Sequence, residues 1–469
     1  MSESCRSGRL PDTPRVGSGV RRRIGRLACL ATLTVLAGAA FAEADPSHGS
    51  TVGEPPQDSG VADVDVACDG LTRPRATGDW GGYRGLLENH GLRIDLDATY
   101  TIQGLATGGL RDPFTALTSE DRAGNTYSSD LIVEVDTAKT GLWSGGLLRM
   151  RVEGRVGESL IERAGTVSPV GNEPLYPNVV DDFDDPVIAF TELTYTQSIG
   201  AGFHLSAGLL DTAEGDANEF AGSALSNERF LNSAFLYSLV EDATVPNTTL
   251  GGSIFYEPSE RVAGSFSVFG TTETAGTNPF ANWNGTTFST EWTFAHELIG
   301  RSGSQTLGFL YGIDARRTDI AKSPRVAIAS ALLGGAVPTT TADSWSIYYN
   351  ADQFVTGDVD RGLGLFVRFG LSDGDPNAVH WNTAFGLGGS GLLSVGAGDR
   401  FGVGFFYVRM SDQALVRGLG IGDELGGELF YSVAVTPWLH FTADAQVVAP
   451  GLPISDTVVV LALRTRVVL

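Results

Sequence analysis

The chain has 469 residues, 42% of them hydrophobic, with 61 glycines and only two lysines, Lys139 and Lys322. Beyond the N-terminus no apolar run approaches the ~20 residues of a transmembrane helix, which excludes a helical membrane protein and leaves a soluble protein or a membrane barrel. The formal charge is −23; residues 1–42 hold seven arginines against two acids, so the remainder stands at −28 and lacks the basic footprint that nucleic acid requires.

Residues 1–42 read as an export signal behind a long leader. Arg21, Arg22, Arg23 and Arg26 form a basic flank, Leu27–Ala39 an apolar stretch too short to span a membrane, and Ala40-Phe41-Ala42 a small-x-small cleavage site. Cleavage after Ala42 is expected. Cys5 and Cys29 leave with the signal, and Cys68 alone cannot form an intramolecular disulfide. Residues 43–76 are rich in Pro, Gly, Ser, Asp and Thr without periodicity, the composition of a disordered arm. The domain expected after it runs over 77–469.

That domain opens with Asp79-Trp80-Gly81-Gly82-Tyr83-Arg84 and a helical pattern over Gly85–His90 that halts at Gly91. A helix so short needs a surface to rest on, at the mouth of a barrel or inside it. Strict alternation follows: Leu92, Ile94, Leu96, Ala98, Tyr100 and Ile102 face one way, and Arg93, Asp95, Asp97, Thr99, Thr101 and Gln103 the other. About eleven such residues match the ~9–11 of a tilted membrane strand.

The pattern recurs. Leu131, Val133 and Val135 alternate with Asp130, Glu134 and Asp136, with Ile132 breaking the polar face. Leu148, Met150, Val152 and Gly154 alternate with Arg149, Arg151, Glu153 and Arg155. An arginine facing lipid at mid-bilayer costs ~2–4 kcal/mol, so three on one strand must line a wet interior. Further strands are expected around Leu193, Leu205, Phe309, Ile347, Leu365, Leu429, Phe441 and Leu461, where apolar residues again alternate with polar ones. Short turns such as Ser144–Gly146 and Thr436-Pro437 alternate with long polar segments, Thr166–Pro186 and Asp211–Asn232 among them. Gly388-Gly389-Ser390-Gly391 reads as a loop. These features predict an all-β protein, a closed antiparallel transmembrane β-barrel of about 16 strands with short periplasmic turns and long extracellular loops.

Four blocks carry a family resemblance: Asp79–Arg84; Gly208–Asp211 with Phe230–Ser233; Ala351–Gln353 with Arg361–Phe366; and Thr436–Leu439 with Asp444–Gln446 and Pro450-Gly451. In this order, over residues 76–469, the chain resembles the carbohydrate-selective porin family of bacterial outer membranes, the OprB type. The resemblance implies a 16-stranded barrel passing sugars by diffusion, with an arginine- and carboxylate-lined constriction. Leu469 departs from the aromatic that usually ends such barrels, and Ala443 from a proline.

A sugar offers hydroxyls in a plane and apolar C–H faces, so a selective lumen needs paired donors, acceptors and aromatic surface. Arg93, Arg149, Arg151, Arg155 and Arg368 supply forked donors, and Asp95, Asp97, Glu153 and Glu192 supply acceptors. Tyr348 and Phe366 fall on the inward face and offer stacking. Tyr100, Tyr195, Tyr311, Trp345, Tyr349, Tyr431 and Trp438 fall outward, as an interfacial girdle would.

No cofactor or metal is expected. The six histidines are scattered, and the acidic run Asp181–Asp185 lacks the Gly and Glu spacing of a calcium loop. No Gly-x-Ser-x-Gly stands in a strand–turn–helix context, so no enzyme is expected. The partners implied are sugars, outer-membrane lipid and lipopolysaccharide, with a monomer and a trimer both open. Two alternatives stay open: a plugged receptor or structural barrel, and a general porin without sugar preference.

Overall fold

The computed structural model describes residues 72–111, 122–158, 160–171, 187–212, 215–224, 228–241, 244–280, 283–323, 325, 339–392 and 398–469. The leader, most of the arm with Cys68, and the Asp181–Asp185 run lie outside the described residues. Sixteen antiparallel strands close on themselves, each pairing with its sequence neighbours and β1 with β16. They are β1 Leu92–Leu110, β2 Ala123–Asp136, β3 Gly146–Gly157, β4 Val187–Gly200, β5 Phe203–Asp211, β6 Thr248–Ser259, β7 Val262–Gly270 and β8 Thr286–Leu298. The second half comprises β9 Arg301–Thr318, β10 Thr339–Gly357, β11 Gly362–Ser372, β12 Val379–Ser390, β13 Arg400–Met410, β14 Glu424–Thr436, β15 Leu439–Ala449 and β16 Ser455–Val468.

Closure gives every strand a partner on both edges, which removes the open edge that would template aggregation. At one end the connections are as short as 201–202, 260–261, 299–300 and 437–438; at the other they include 158–186 and 212–247. The start of β1 and the end of β16 lie at the short-turn end. Alternation sends Ile102, Leu193, Phe266, Phe309, Phe385, Phe405, Leu429 and Leu463 outward, each exposed. A continuous apolar band around a cylinder far exceeds the few hundred Å² a soluble surface tolerates, and lipid is what covers it. Among the described residues no helix is long and apolar enough to cross a membrane.

The N-terminal signature fastens the seam. Helix α1 (Tyr83–Asn89) follows a single 3-10 turn at Trp80–Gly82. It ends where Gly91 adopts φ 86°, a left-handed conformation that glycine takes without a Cβ clash. Arg84 is buried beneath it, stacked 4.2 Å from the Trp80 ring. Its guanidinium donates to the carbonyls of Ile94 (3.0 Å) and Leu469 (3.3 Å), one on each side of the β1–β16 junction. The end of the expected arm joins this seam, where the Ala76 amide donates to the Val468 carbonyl at 2.8 Å.

The interior holds a second hydrophobic core. The 212–247 connection, read from sequence in part as a polar loop, turns into the barrel instead. It carries the short helix α3 (Ser233–Leu236); an earlier helix, α2 (Ile161–Ala164), lies in the β3–β4 connection. Phe230 stacks on Phe235 at 4.4 Å and meets the inward rings of Phe430 (4.8 Å) and Phe366 (5.5 Å). Phe235 also meets Phe406 at 5.6 Å, and Phe220 meets Phe354 at 4.8 Å. Gly364 and Gly404 make this possible, because a Cβ at either would overlap the Phe220 or Phe235 ring. Gly388, Gly389 and Ser390 belong to β12 rather than to a loop; a Cβ at Gly388 would meet Phe220 at 2.9 Å. Gly388 leaves the space into which Phe220 packs, whereas a Cβ at Gly389 would meet the Gly362 carbonyl at 2.2 Å.

Candidate functional site: the lumen

Two buried carboxylates from the barrel wall hold the inward segments. Glu428 accepts the amides of Leu231 (2.5 Å) and Asn232 (2.9 Å), so the wall supplies an acceptor to backbone that no strand could satisfy. Glu424 accepts the amides of Val167 (2.6 Å), Ser168 (2.7 Å) and Gly451 (3.2 Å). Gln103 and Gln446 both donate to the Val170 carbonyl, at 3.0 and 2.9 Å. Asn218 donates to Asn350 at 2.6 Å, and Arg368 pairs with Asp216.

All ten residues expected on the lumen point inward, and the structure sorts them into two groups. Arg93, Asp95, Asp97, Arg149, Arg151, Glu153, Arg155 and Glu192 form one ionic patch across β1–β4. Arg93 lies 2.6 Å from Asp95 and 3.5 Å from Glu134; Arg149 lies 3.6 Å from Glu134 and 3.4 Å from Glu192. Arg151 reaches Asp130 (3.0 Å), Glu153 (3.4 Å) and Asp211 (3.5 Å), and Arg155 reaches Glu153 at 2.8 Å. The side chains of Arg151, Glu153 and Arg155 are at most 5% exposed, so the middle of the patch is satisfied within itself. Tyr348 and Arg368 stand elsewhere, on β10 and β11. Tyr348 donates to Glu291, and Arg368 is fully buried beneath the inward segment.

A second chain of charges crosses the interior. Asp97 pairs with Arg466 at 2.7 Å, and Arg466 also pairs with Glu228. Glu228 lies 3.4 Å from Arg400, Arg400 lies 3.8 Å from Glu219, and Glu219 lies 3.3 Å from Arg229. Burial, with Arg400 adding to it, pushes the Arg229 guanidinium down to about 10, so it stays charged at neutral pH. Burial pushes the Asp216 carboxyl up to about 6 against the pull of Arg368. Beside this chain lies a space of 580 Å³, lined by Asn218, Glu219, Glu228, Arg229, Ser304, Asp352 and Phe354 among others.

Glu219, Glu228 and Arg229 were not among the expected lumen residues, because they sit in a connection rather than on a strand. A signal was present: Phe220, Phe230, Leu231 and Phe235 are too apolar for an exposed loop. Among the described residues no three His, Cys, Asp or Glu side chains converge as a metal site would require.

A closed sixteen-stranded barrel with a lipid-facing band, its lumen narrowed by an inward-folded connection, is a porin. The sequence model of the carbohydrate-selective porin, OprB family, matches residues 122–469, and the chain belongs to that family. Its fold is similar to the high-pH structure of Pseudomonas putida OprB, with TM-score 0.70 and 22% identity, covering 86% of this chain and 100% of that one. The low-pH structure of Pseudomonas putida OprB gives TM-score 0.53 and 17% identity over 85% of this chain and 99% of that one. No curated protein matches the chain. Family and barrel together imply an outer-membrane location.

Proposed function

We propose that the chain is a passive channel for carbohydrates, exported with removal of its leader after Ala42, and performing no covalent chemistry. The observation that carries this reading is the 580 Å³ space between the inward connection and β9–β10, where carboxylates, a guanidinium, an amide, a hydroxyl and a phenyl ring meet. Such a mixture offers a sugar donors, acceptors and an apolar face, without a single charge sign that would trap an ion. Charged side chains that already pair with one another bind a passing hydroxyl weakly, which suits diffusion because a solute must also leave.

Within this reading the ionic patch of Arg93, Asp95, Asp97, Arg149, Arg151, Glu153, Arg155 and Glu192 forms one lumen wall, and Tyr348 and Arg368 brace the opposite one. The surrounding partners are outer-membrane lipid and lipopolysaccharide. Liposome swelling with neutral sugars and charged solutes of similar size tests the function. Faster entry of the sugars is expected. Rates that depend on size alone would reduce the protein to a general porin, and absence of both sugar flux and ion conductance would make it a plugged barrel. Replacing Arg149 and Arg151 with alanine tests the patch, since unchanged selectivity would remove it from the constriction.

A further inference from the structure

The inward segments do not fill the barrel evenly. Most inward side chains on β10–β16 are buried, among them Ser346, Arg368, Ala384, Val408, Phe430, Ser432 and Val460, with Arg400 and Arg466 partly open. On β6–β8 the inward Ser265, Ser267 and Ser289 are partly open and the Phe255 ring is 37% exposed, although they point away from lipid. The register there places hydroxyls side by side. Thr196 pairs with Ser206, Ser206 with Ser253, Ser253 with Ser267, and Ser267 with Ser289, one transverse rung over five strands. Neighbouring hydroxyls touch, Thr196 to Ser206 at 3.0 Å and Ser253 to Ser267 at 2.8 Å. The next rung toward the short turns holds Phe255, Ser265 and Glu291 in register.

Resting on the sugar-channel reading, we propose that solutes cross eccentrically, along β4–β8 and past the adjoining space at β9–β10, and that this hydroxyl rung with Phe255 selects uncharged polyhydroxylated molecules. Each hydroxyl has one donor and two lone pairs, so a pair that shares one hydrogen bond still presents a donor and acceptors to the lumen. A sugar hydroxyl exchanges its water for them at little cost, while the C–H face of the ring slides over Phe255. Strands β5–β8 carry no lysine or arginine, and Glu291 lies one rung away. Anions therefore find no counter-charge on β5–β8, and in the ionic wall beside them, on β1–β4, the arginines are already paired with carboxylates.

Cysteine accessibility tests the path. In a Cys68→Ala background, Ser267→Cys and Ser432→Cys are each treated with a charged methanethiosulfonate while conductance is recorded in a planar bilayer. Ser432 is an inward control on the filled side, 1% exposed and bonded to Thr442 at 2.9 Å. The reagent is expected to lower the current through the Ser267 variant and leave the Ser432 variant unchanged; the reverse overturns the path. The Ser253→Ala/Ser267→Ala double variant tests the selection. Losing two oxygens widens the lumen, so size alone would raise sugar flux in step with potassium chloride conductance. A fall in neutral-sugar flux of about two- to fivefold relative to conductance is expected, the scale of one lost hydrogen bond, and parallel rises overturn it. If the unaltered protein passes sugars and sugar phosphates alike, the sugar reading fails while the cysteine comparison still reports the path.

Discussion

Phe230→Ala removes the centre of the internal core. The ring is fully buried and meets Phe235, Phe366 and Phe430 with centroids 4.4, 5.5 and 4.8 Å away. A buried phenylalanine replaced by alanine costs about 3–5 kcal/mol, of which each aromatic pair contributes ~0.5–1.5 beyond simple burial. None of this loss falls on the strand ladder, so it appears as opening of the inward connection while the barrel stays closed. Arg229 is the reporter. Its side chain is 14% exposed, held inside the lumen by Glu219 at 3.3 Å, and it immediately precedes the substituted position, so trypsin cuts after it only when the segment lifts. Where opening is fast, cleavage tracks the open population, and about 3 kcal/mol raises it roughly a hundredfold. The assay is the nicking rate of folded protein in detergent, with single-channel conductance recorded in parallel. Phe266→Ala, a lipid-facing control, should leave the rate unchanged. Cleavage of the Phe230 variant within twofold of the parent would refute the claim that this ring cluster holds the segment in the lumen.

Removing Asp216 should abolish part of the pH dependence of stability. Because burial raises its folded carboxyl from 3.8 to about 6, its contribution is fully present below about pH 4 and is lost as pH rises through about 6. The stability difference between parent and Asp216→Asn should change by up to about 3 kcal/mol across that window in denaturant titrations; a constant difference would refute the shift. Arg151→Met should destabilise the barrel by about 3–5 kcal/mol, since it strands Asp130, Glu153 and Asp211 in a buried patch. Arg93→Met, at a 56% exposed side chain, should cost under about 1 kcal/mol, and heat-modified gel mobility compares the two. Gly364→Val should drive the Phe220 ring off β11 and raise nicking after Arg229, because the added side chain occupies the ring's place. Mass spectrometry of the membrane-borne protein should give an N-terminus at Glu43.

How far the fold was readable varied along the chain for a definite reason. Strands such as β1, β3 and β15 alternate cleanly because one face meets lipid and the other meets polar groups. Strand β8 was not singled out although its inward Thr287, Ser289, Glu291 and Thr293 alternate with outward Phe288, Trp292 and Phe294; nor were β6, β7, β12 and β13. Their inward positions hold Phe255, Phe269, Ala384, Gly402 and Phe406, which blur the contrast between faces. The apolar run Val458–Leu463 has the same origin. Its outward residues face lipid and its inward Val458 and Val460 are fully buried in the internal core.

The amino-acid order alone determined which side of each clear strand meets lipid, since that follows from a two-residue period and the price of exposing arginine to hydrocarbon. It also determined that the Arg149–Arg155 ladder points inward and that short and long connections lie at opposite ends. Only the tertiary structure decided what fills the interior. Glu428 finds its amide donors at Leu231 and Asn232, and Arg400 finds Glu219 and Glu228, across contacts no local period encodes. A strand's alternation says that a side chain faces the lumen, whereas what it meets there depends on a distant segment folding back through the ring.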